Sequence, residues 1–125
     1  MLDISLYAPS GKPPITIDVS ENLYMWLLRS DFTEIGVSRP QKIAVDGEEV
    51  VLDVIDLNKG KISNRKRLRE FLIEAIVQEV NEMFKQLGDA PTKKEYQDAT
   101  YMVKKLQQLK TCIEDETYQF LQKAS

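Results

Sequence analysis

Residues 43–55, IAVDGEEVVLDVI, decide the predicted fold class, because two β-rich segments flank an Asp-Gly pair. Asp46-Gly47 in this setting is typical of a type I′ turn, in which both central residues need a positive φ. The sequence therefore predicts a tight antiparallel hairpin. Its second arm, residues 48–55, is the most apolar β segment of the chain, and we expect it to be the central strand of a sheet.

A second pair of strands is predicted at the N-terminus. Residues 2–7 and residues 15–19 both alternate apolar and polar side chains, which is the period of a strand with one buried face. Residues 8–14 contain three prolines and a glycine, so a loop longer than a tight turn should join the two strands. We expect these strands to pair antiparallel.

A short helix is predicted directly after the second strand. Ser20 has the properties of an N-cap, and Glu21 is favourable near the positive end of the helix dipole. Residues 23–28, LYMWLL, make the helix apolar on nearly all sides. Either the helix is wedged between the sheet and other helices, or it leaves an apolar strip for a partner.

A long helix is predicted in the second half of the chain. From Ser63 onward the apolar residues recur at three- and four-residue spacings as far as Leu87. Gly88 follows them and suits the position just beyond a helix C-terminus, where a left-handed conformation is common.

Another helix should follow after a short connection. Thr92 and Glu95 form a capping-box pattern that begins a helix. Its apolar period continues to Phe120, so residues 93–123 should form either one helix or two helices with a bend near residues 111–116. Because only a few residues separate this helix from the preceding one, we expect an antiparallel helical hairpin.

The predicted order of elements is β-β-α-β-β-α-α. Since strands and helices do not alternate one by one, this order favours the α+β class, with a helical hairpin packed on a small antiparallel sheet of about four strands. A length of 125 residues fits one domain with a core of its own. We therefore expect residues 1–125 to form a single α+β domain.

The composition argues against several classes of function. The chain has no histidine, which removes the usual general base at neutral pH and the commonest nitrogen ligand of transition metals. It has no glycine-rich phosphate loop and a single cysteine, so we expect no cofactor, no metal site and no disulfide framework. No apolar run is long enough to span a membrane and no signal peptide is present, so we expect a cytoplasmic protein without membrane contact.

The charge distribution contains one local feature that indicates a partner. Residues 59–69, KGKISNRKRLR, carry six positive charges and no negative charge, and we call them the basic segment. The flanking regions are acidic, with ten carboxylates against four bases in residues 1–58 and ten against seven in residues 70–125. The formal net charge of −3 therefore hides a strongly basic stretch.

Two arginines of the basic segment need partners. On a helix that begins near Ser63, Arg65 and Arg69 project along the apolar stripe, whereas Arg67 points to the polar side. Positive charge near a helix start opposes the helix dipole, so compensating groups are expected. The arginines either snorkel past the edge of the core, or bind an anion such as phosphate, or pair internally. The candidate internal partners are the acidic residues just upstream, Asp46, Glu48, Glu49, Asp53 and Asp56.

Three further residues are candidates for contact or chemistry. Tyr101 projects on a polar side of the last helix, where an aromatic side chain either binds a partner or has no role. Glu79 is either a carboxylate with a raised pKa or, as we favour, a partner for a basic residue of the neighbouring helix. Cys112 is expected to be an inert thiol, although it shares the side of Tyr101 if the helix is unbroken.

The sequence favours a small non-catalytic protein that acts by binding another protein, as an adaptor, a regulatory subunit or an immunity-type inhibitor, and an acidic partner would suit the basic segment. Nucleic-acid or phosphate-ligand binding through residues 59–69 is the alternative, although the chain as a whole is acidic. An enzyme that uses carboxylate or lysine chemistry is the third hypothesis. No catalytic residue is assigned, and the oligomeric state is left open. The candidate partner-binding residues are Lys59, Lys61, Arg65, Arg67, Arg69 and Tyr101.

Overall fold

A computed structural model describes residues 2–123, which form a five-stranded antiparallel sheet and three α-helices. In chain order the elements are β1 (Leu2–Tyr7), β2 (Ile15–Val19), α1 (Glu21–Leu28), β3 (Arg39–Val45), β4 (Glu48–Asp56), α2 (Asn64–Leu87), α3 (Lys93–Glu114) and β5 (Phe120–Gln122). The α+β prediction is confirmed, with one strand more than expected. Helices α2 and α3 pack against each other as the predicted hairpin.

The shortest strand, β5, lies at the centre of the sheet. The strand order is β2-β1-β5-β4-β3, and every neighbouring pair is antiparallel. Leu121 of β5 lies opposite Leu6 on one side and Ile55 on the other, and all three side chains are fully buried. The prediction that β4 is the central strand is therefore wrong, because β5 occupies that place and separates β4 from β1.

The end of the chain also differs from the predicted helix. Helix α3 stops at Glu114, and a turn leads into β5 instead of a continued or bent helix as far as residue 123. Phe120 matches the helical period of the sequence, but it pairs with Tyr7 and Asp56 across the sheet. A three-residue strand is too short to show a period of its own, so partners that are distant in the sequence decide its structure.

The β3–β4 hairpin has the predicted type I′ turn. Asp46 and Gly47 both adopt a positive φ, at 52° and 81°. The register of the two strands brings Arg39 opposite Val54, at the end of the hairpin that is far from the turn. Strand β3 is the edge of the sheet, and Pro40 falls at a position whose N–H would point away from β4. Its missing N–H therefore costs no ladder bond and removes one donor from the open edge.

Serine and threonine side chains cap the three helices at their N-termini. Ser20 Oγ accepts a hydrogen bond from the N–H of Leu23 at 3.2 Å, and Ser63 Oγ caps α2 in the same way. Thr92 Oγ1 accepts from the N–H of Glu95 at 3.1 Å, and the Glu95 carboxylate accepts from the N–H of Thr92 at 3.3 Å. The predicted caps at Ser20 and Thr92 are therefore confirmed, and caps of this kind stabilise a helix by about 1 kcal/mol each.

The main core lies between one face of the sheet and the three helices. The following side chains are fully buried in it: Ile4, Leu6, Ile17, Val19, Ile55 and Leu121 from the sheet, and Leu23, Leu68, Leu72, Leu106, Leu109 and Ile113 from the helices. Residues from both ends of the chain meet in this core, so the sheet and the helical hairpin stabilise each other.

Helix α1 packs on the main core and contacts α2, which agrees in part with the first of its two predicted alternatives. Leu23 and Leu27 are buried, and the Trp26 ring packs against Phe71 of α2 with 6.2 Å between the ring centroids. Met25 is exposed on the outer side of the helix. Leu28 is exposed as well, so α1 packs on the core with one side and leaves an apolar strip at Met25 and Leu28 open, as its second predicted alternative states.

Replacing Leu121 with alanine should lower the free energy of unfolding by about 2 to 5 kcal/mol, since it leaves a cavity at the centre of the sheet. Val51→Ala is the matched control, because Val51 lies on β4 with 63% of its surface exposed, and its effect should stay below about 1 kcal/mol. Urea denaturation followed by circular dichroism measures both values. Equal losses for the two variants would contradict the central role of β5.

Candidate functional site

The basic segment is divided between a loop and the first turns of α2. Lys59 and Lys61 lie in the loop that joins β4 to the helix. Arg65 and Arg69 point toward the end of α3, whereas Arg67 lines a groove on the other side of the helix. The six positive charges therefore do not form one continuous basic surface.

Arg65 is bound to the protein itself. Its guanidinium donates hydrogen bonds to the backbone carbonyls of Ile113, of Asp115 at 3.1 Å and of Tyr118 at 2.6 Å. It also donates to Oδ1 of Asn58 at 3.2 Å. The last carbonyls of a helix lack intrahelical partners and form the negative end of the helix dipole, so a cation is favourable there. Arg65 thereby ties the start of α2 to the end of α3 and to the turn before β5.

The groups that compensate the positive charge of Arg65 are not the upstream carboxylates that the sequence predicted. Burial lowers the pKa of the guanidinium, while the carboxylates of Glu116, Asp115 and Asp56 act in the opposite direction, in that order of strength. Arginine stays charged at physiological pH under such shifts. The direct partners are carbonyl groups at the end of α3, because α2 and α3 run antiparallel and bring that end beside Arg65. No carboxylate of the β3–β4 hairpin accepts a hydrogen bond from Arg65 within the described residues, and Asp56 acts on it through its charge alone.

Arg69 forms an ion pair at the surface. Its Nε lies 3.1 Å from Oε2 of Glu114, and the other carboxylate oxygen of Glu114 accepts a hydrogen bond from Lys110 at 2.7 Å. The hydrogen bond from Lys110, followed by that from Arg69, lowers the pKa of Glu114. Nearly half of the Arg69 side chain is exposed, so water screens the pair and it adds little to stability.

Tyr101 makes internal contacts at the junction of β2 and α1. Its hydroxyl accepts a hydrogen bond from the backbone N–H of Ser20 at 2.9 Å, and its ring is half-buried against the main core. The ammonium group of Lys105 lies 5.9 Å from the ring centroid. The side of α3 that looks polar in the sequence thus faces the sheet edge, and the Tyr101 hydroxyl has a structural partner there.

Lys59 and Arg67 of the basic segment border a groove on the sheet face that the helices leave open. We call it the sheet groove, and its volume is about 340 Å³. Side chains of β3, β4 and β5 form its floor, and the loops before β3 and before α2 form its walls. Its lining residues are Glu34, Gly36, Val37, Arg39, Gln41, Val54, Asp56, Lys59, Gly60, Asn64, Arg67 and Phe120.

The centre of the groove floor is apolar. Val54 and Phe120 are buried and pack together with Ile43 in a second, smaller apolar cluster. They lie on the face opposite to that of Ile55 and Leu121, since neighbouring residues of a strand point to opposite faces. The alternation of β4 and β5 therefore builds the main core on one side and the groove floor on the other.

The wall of the sheet groove is held rigidly by Gly36 and Asn64. Gly36 has a φ of 80°, and a Cβ atom at this position would lie 2.6 Å from Cγ2 of Ile55. Buried Asn64 donates from Nδ2 to the carbonyl of Asp56 at 3.0 Å and from its backbone N–H to the carbonyl of Lys59 at 3.0 Å. These bonds fix the loop that carries Lys59 relative to the end of β4, so the groove is preformed.

The charges of the sheet groove have no ion-pair partners within residues 2–123. None of Arg39, Lys59 and Arg67 takes part in the salt bridges of this part of the chain, and neither does Glu34. Asp56 accepts a hydrogen bond from the N–H of Asn58 at 3.0 Å, which orients its carboxylate. Three bases against two carboxylates leave the groove with a small positive excess above an apolar floor.

The sequence identified only part of this site. Lys59 and Arg67 were candidates, and the structure brings them together, whereas Lys61 is exposed outside the groove lining. Arg39 was missed because it lies twenty residues before the basic segment, and only the β3–β4 register places it beside Val54. The predicted hairpin begins at Ile43, four residues after Arg39, so the sequence pattern did not place Arg39 on a strand.

Glu79 and Cys112 were the other two candidates for a chemical role, and their surroundings do not favour one. Burial, and to a smaller extent Glu82, raises the pKa of Glu79, and no salt bridge within residues 2–123 contains Glu79, so its favoured pairing with a neighbouring base is absent there. Burial and Asp115 raise the pKa of Cys112, which keeps its thiol protonated and weakly nucleophilic at neutral pH. In the described part of the chain, no cluster of three or more His, Cys, Asp or Glu side chains is placed to hold a metal ion.

Comparison of the chain with protein-family models, curated proteins and solved structures gives no match. Among the helices within residues 2–123, none combines the length and the apolar character needed to cross a membrane.

Arg65→Ala should lower the free energy of unfolding by about 2 to 4 kcal/mol, since it leaves backbone carbonyls at the end of α3 without their charged donor. Arg67→Ala is the matched control two residues away, and should change stability by less than about 0.5 kcal/mol because Arg67 is exposed. Thermal and urea unfolding of the two variants measure the difference. An Arg65→Ala variant as stable as the native protein would show that the guanidinium does not hold these elements together.

Proposed function

We propose that this protein works by binding another protein without catalysis, and that the sheet groove receives an acidic segment of that partner. The observation that supports this proposal most directly is the position of Arg39, Lys59 and Arg67. They come from separate parts of the chain, border one preformed groove and have no ion-pair partner within residues 2–123. Bases without internal partners are available to carboxylates of a ligand.

The apolar floor favours a peptide over a simple anion. Val54 and Phe120 are 3% and 6% exposed and give the floor a small apolar surface for one side chain, while the bases at the rim are placed for neighbouring carboxylates. The volume of about 340 Å³ is at the lower end of the range of about 300–1,000 Å³ for ligand pockets, which suits a few side chains. Addition of a partner strand to the edge of β3 is less suitable, since Pro40 removes a donor from that edge.

Two features weigh against nucleic acid, which is the second hypothesis. Glu34 and Asp56 are part of the groove lining and would repel a phosphate backbone. Arg65 and Arg69 of the basic segment are directed to the end of α3 and do not add to a continuous basic surface. An acidic peptide can avoid the two carboxylates by placing an apolar or basic residue beside them, whereas a nucleic acid strand has a phosphate at every nucleotide.

A fluorescently labelled peptide that alternates glutamate and phenylalanine should bind the protein, and the variant with Arg39→Glu and Arg67→Glu should bind it at least about tenfold more weakly. Fluorescence anisotropy measures both affinities. Lys42→Glu is the matched control, because Lys42 lies on β3 but points to the opposite face of the sheet, and it should retain most of the affinity. A peptide with glutamine in place of glutamate should bind poorly.

Two outcomes would contradict the proposal. One is equal peptide affinity of the groove variant and the Lys42→Glu control. The other is tight binding of single-stranded or duplex oligonucleotides with a steep salt dependence, which would favour the nucleic-acid hypothesis. Affinity capture from a lysate with the native protein, the groove variant and the control, each with and without nuclease, would then identify which ligand depends on the groove.

A further inference from the structure

A small apolar pocket lies between the second half of α1, the turn that follows it and the residue after β5. Its lining residues are Tyr24, Leu27, Leu28, Phe32, Thr33 and Lys123, and none of them belongs to the lining of the sheet groove. Its volume is about 50 Å³, which gives room for about four water-sized groups. We call it the lysine pocket, because Lys123 is the charged residue of its lining.

The walls of the lysine pocket are fixed by contacts within the protein. Ser30 Oγ donates a hydrogen bond to the carbonyl of Leu27 at 2.7 Å and accepts one from the N–H of Phe32 at 3.2 Å. The Phe32 ring packs against Phe71 of α2, with 6.2 Å between the ring centroids. Because these contacts hold the turn against α1 and α2, the pocket is preformed.

The ammonium group of Lys123 is held beside this pocket. Its Nζ donates a hydrogen bond to the carbonyl of Thr33 at 3.0 Å and lies 5.5 Å from the centroid of the Phe32 ring. An ammonium group has three N–H donors. The other two have no hydrogen-bond acceptor among residues 2–123, although the side chain is half-buried. The ammonium group can therefore donate to a ligand and keep its contact with Thr33.

Lys123 has no counter-ion within residues 2–123. No salt bridge of this part of the chain contains it, whereas Lys105 and Lys110 of α3 pair with carboxylates. Burial lowers the pKa of Lys123, and no carboxylate of the described residues acts in the opposite direction. A charge that is partly withdrawn from water is usually paired. A carboxylate ligand would supply the negative charge and would accept charge-assisted hydrogen bonds.

We propose that the lysine pocket binds a small monocarboxylic acid. The carboxylate accepts hydrogen bonds from the two remaining N–H donors of Lys123, and the apolar chain of the acid lies against the leucines of α1 and the Phe32 ring. The volume limits that chain to about three or four carbon atoms. The proposal does not depend on the sheet groove, since the two sites share no residue.

The lining of the lysine pocket favours a single negative charge on an apolar chain. A phosphate or a dicarboxylic acid would bring a second charge beside leucine and phenylalanine side chains, where it would lose water without gaining a partner. An uncharged amide of the same length would leave the ammonium group without an anion. A carboxylate on a short apolar chain is presented both by a free acid and by the C-terminal residue of a polypeptide, so the experiment compares these two sources.

Sodium butyrate should bind the native protein with a dissociation constant of about 1 mM or below, which a ligand of this size can reach. NMR of the side-chain methyl groups measures it, since the signals of Leu27 and Leu28 should shift and those of Val51 on β4 should not. Butyramide, succinate and inorganic phosphate should each bind at least about tenfold more weakly. The dipeptide N-acetyl-alanyl-valine represents a chain end, and its affinity relative to butyrate identifies the source that the pocket prefers.

Lys123→Gln should weaken the binding of butyrate at least about tenfold, because it removes the positive charge. Leu28→Asp should have a similar effect, since its carboxylate would repel the ligand and compete for Lys123. Met25→Asp is the matched control and should bind butyrate like the native protein. Met25 also lies on α1 and is 41% exposed, against 44% for Leu28, but it is outside the pocket lining. Circular dichroism checks that each variant is folded.

Three results would overturn the proposal. The first is equal affinity of the native protein and the Lys123→Gln variant for butyrate, and the second is equal affinity of the native protein for butyrate and butyramide. The third is the absence of methyl shifts at Leu27 and Leu28 at butyrate concentrations up to about tenfold the expected dissociation constant.

Discussion

The insertion of β5 between β1 and β4 is the constraint on which the rest of the structure depends. Leu121 lies between Leu6 and Ile55 in the middle of the sheet, and without it β1 and β4 would have no common neighbour. The sheet would separate into two hairpins, and two-stranded hairpins are marginally stable in water. The last strand thus closes the fold, although it is only three residues long.

Arg65 holds β5 in this position by binding the turn that leads into it from α3. Its guanidinium binds the carbonyls of Asp115 and Tyr118, which lie on either side of the turn between α3 and β5. A second contact comes from Tyr118, whose hydroxyl donates a hydrogen bond to the carbonyl of Pro13 in the β1–β2 loop at 3.0 Å. Arg65 therefore has a structural role. Its positive charge is unfavourable at the N-terminus of α2, but its contact with the negative C-terminal end of α3 offsets this cost.

The two faces of the sheet separate two kinds of surface. One face carries the main core and the helical hairpin, which leaves Val77, Phe84 and Tyr96 exposed. The other face carries the smaller apolar cluster and the preformed sheet groove, with bases from β3, from the loop before α2 and from α2 itself. The division follows from the strand period of two, which sends Ile55 and Val54 to opposite sides.

The sequence by itself determined the elements that depend on local interactions. The Asp46-Gly47 turn, the caps at Ser20 and Thr92, the long α2 and the α+β class follow from backbone preferences and short-range periodicity. Only the tertiary structure decided the place of β5, the partners of Arg65 and the meeting of Arg39 with Lys59 and Arg67. Each of these depends on groups that are far apart in the chain, and a local pattern holds no information about which distant partner will be near. The helical period at Phe120 illustrates the point, because pairing with β1 and β4 overrode it.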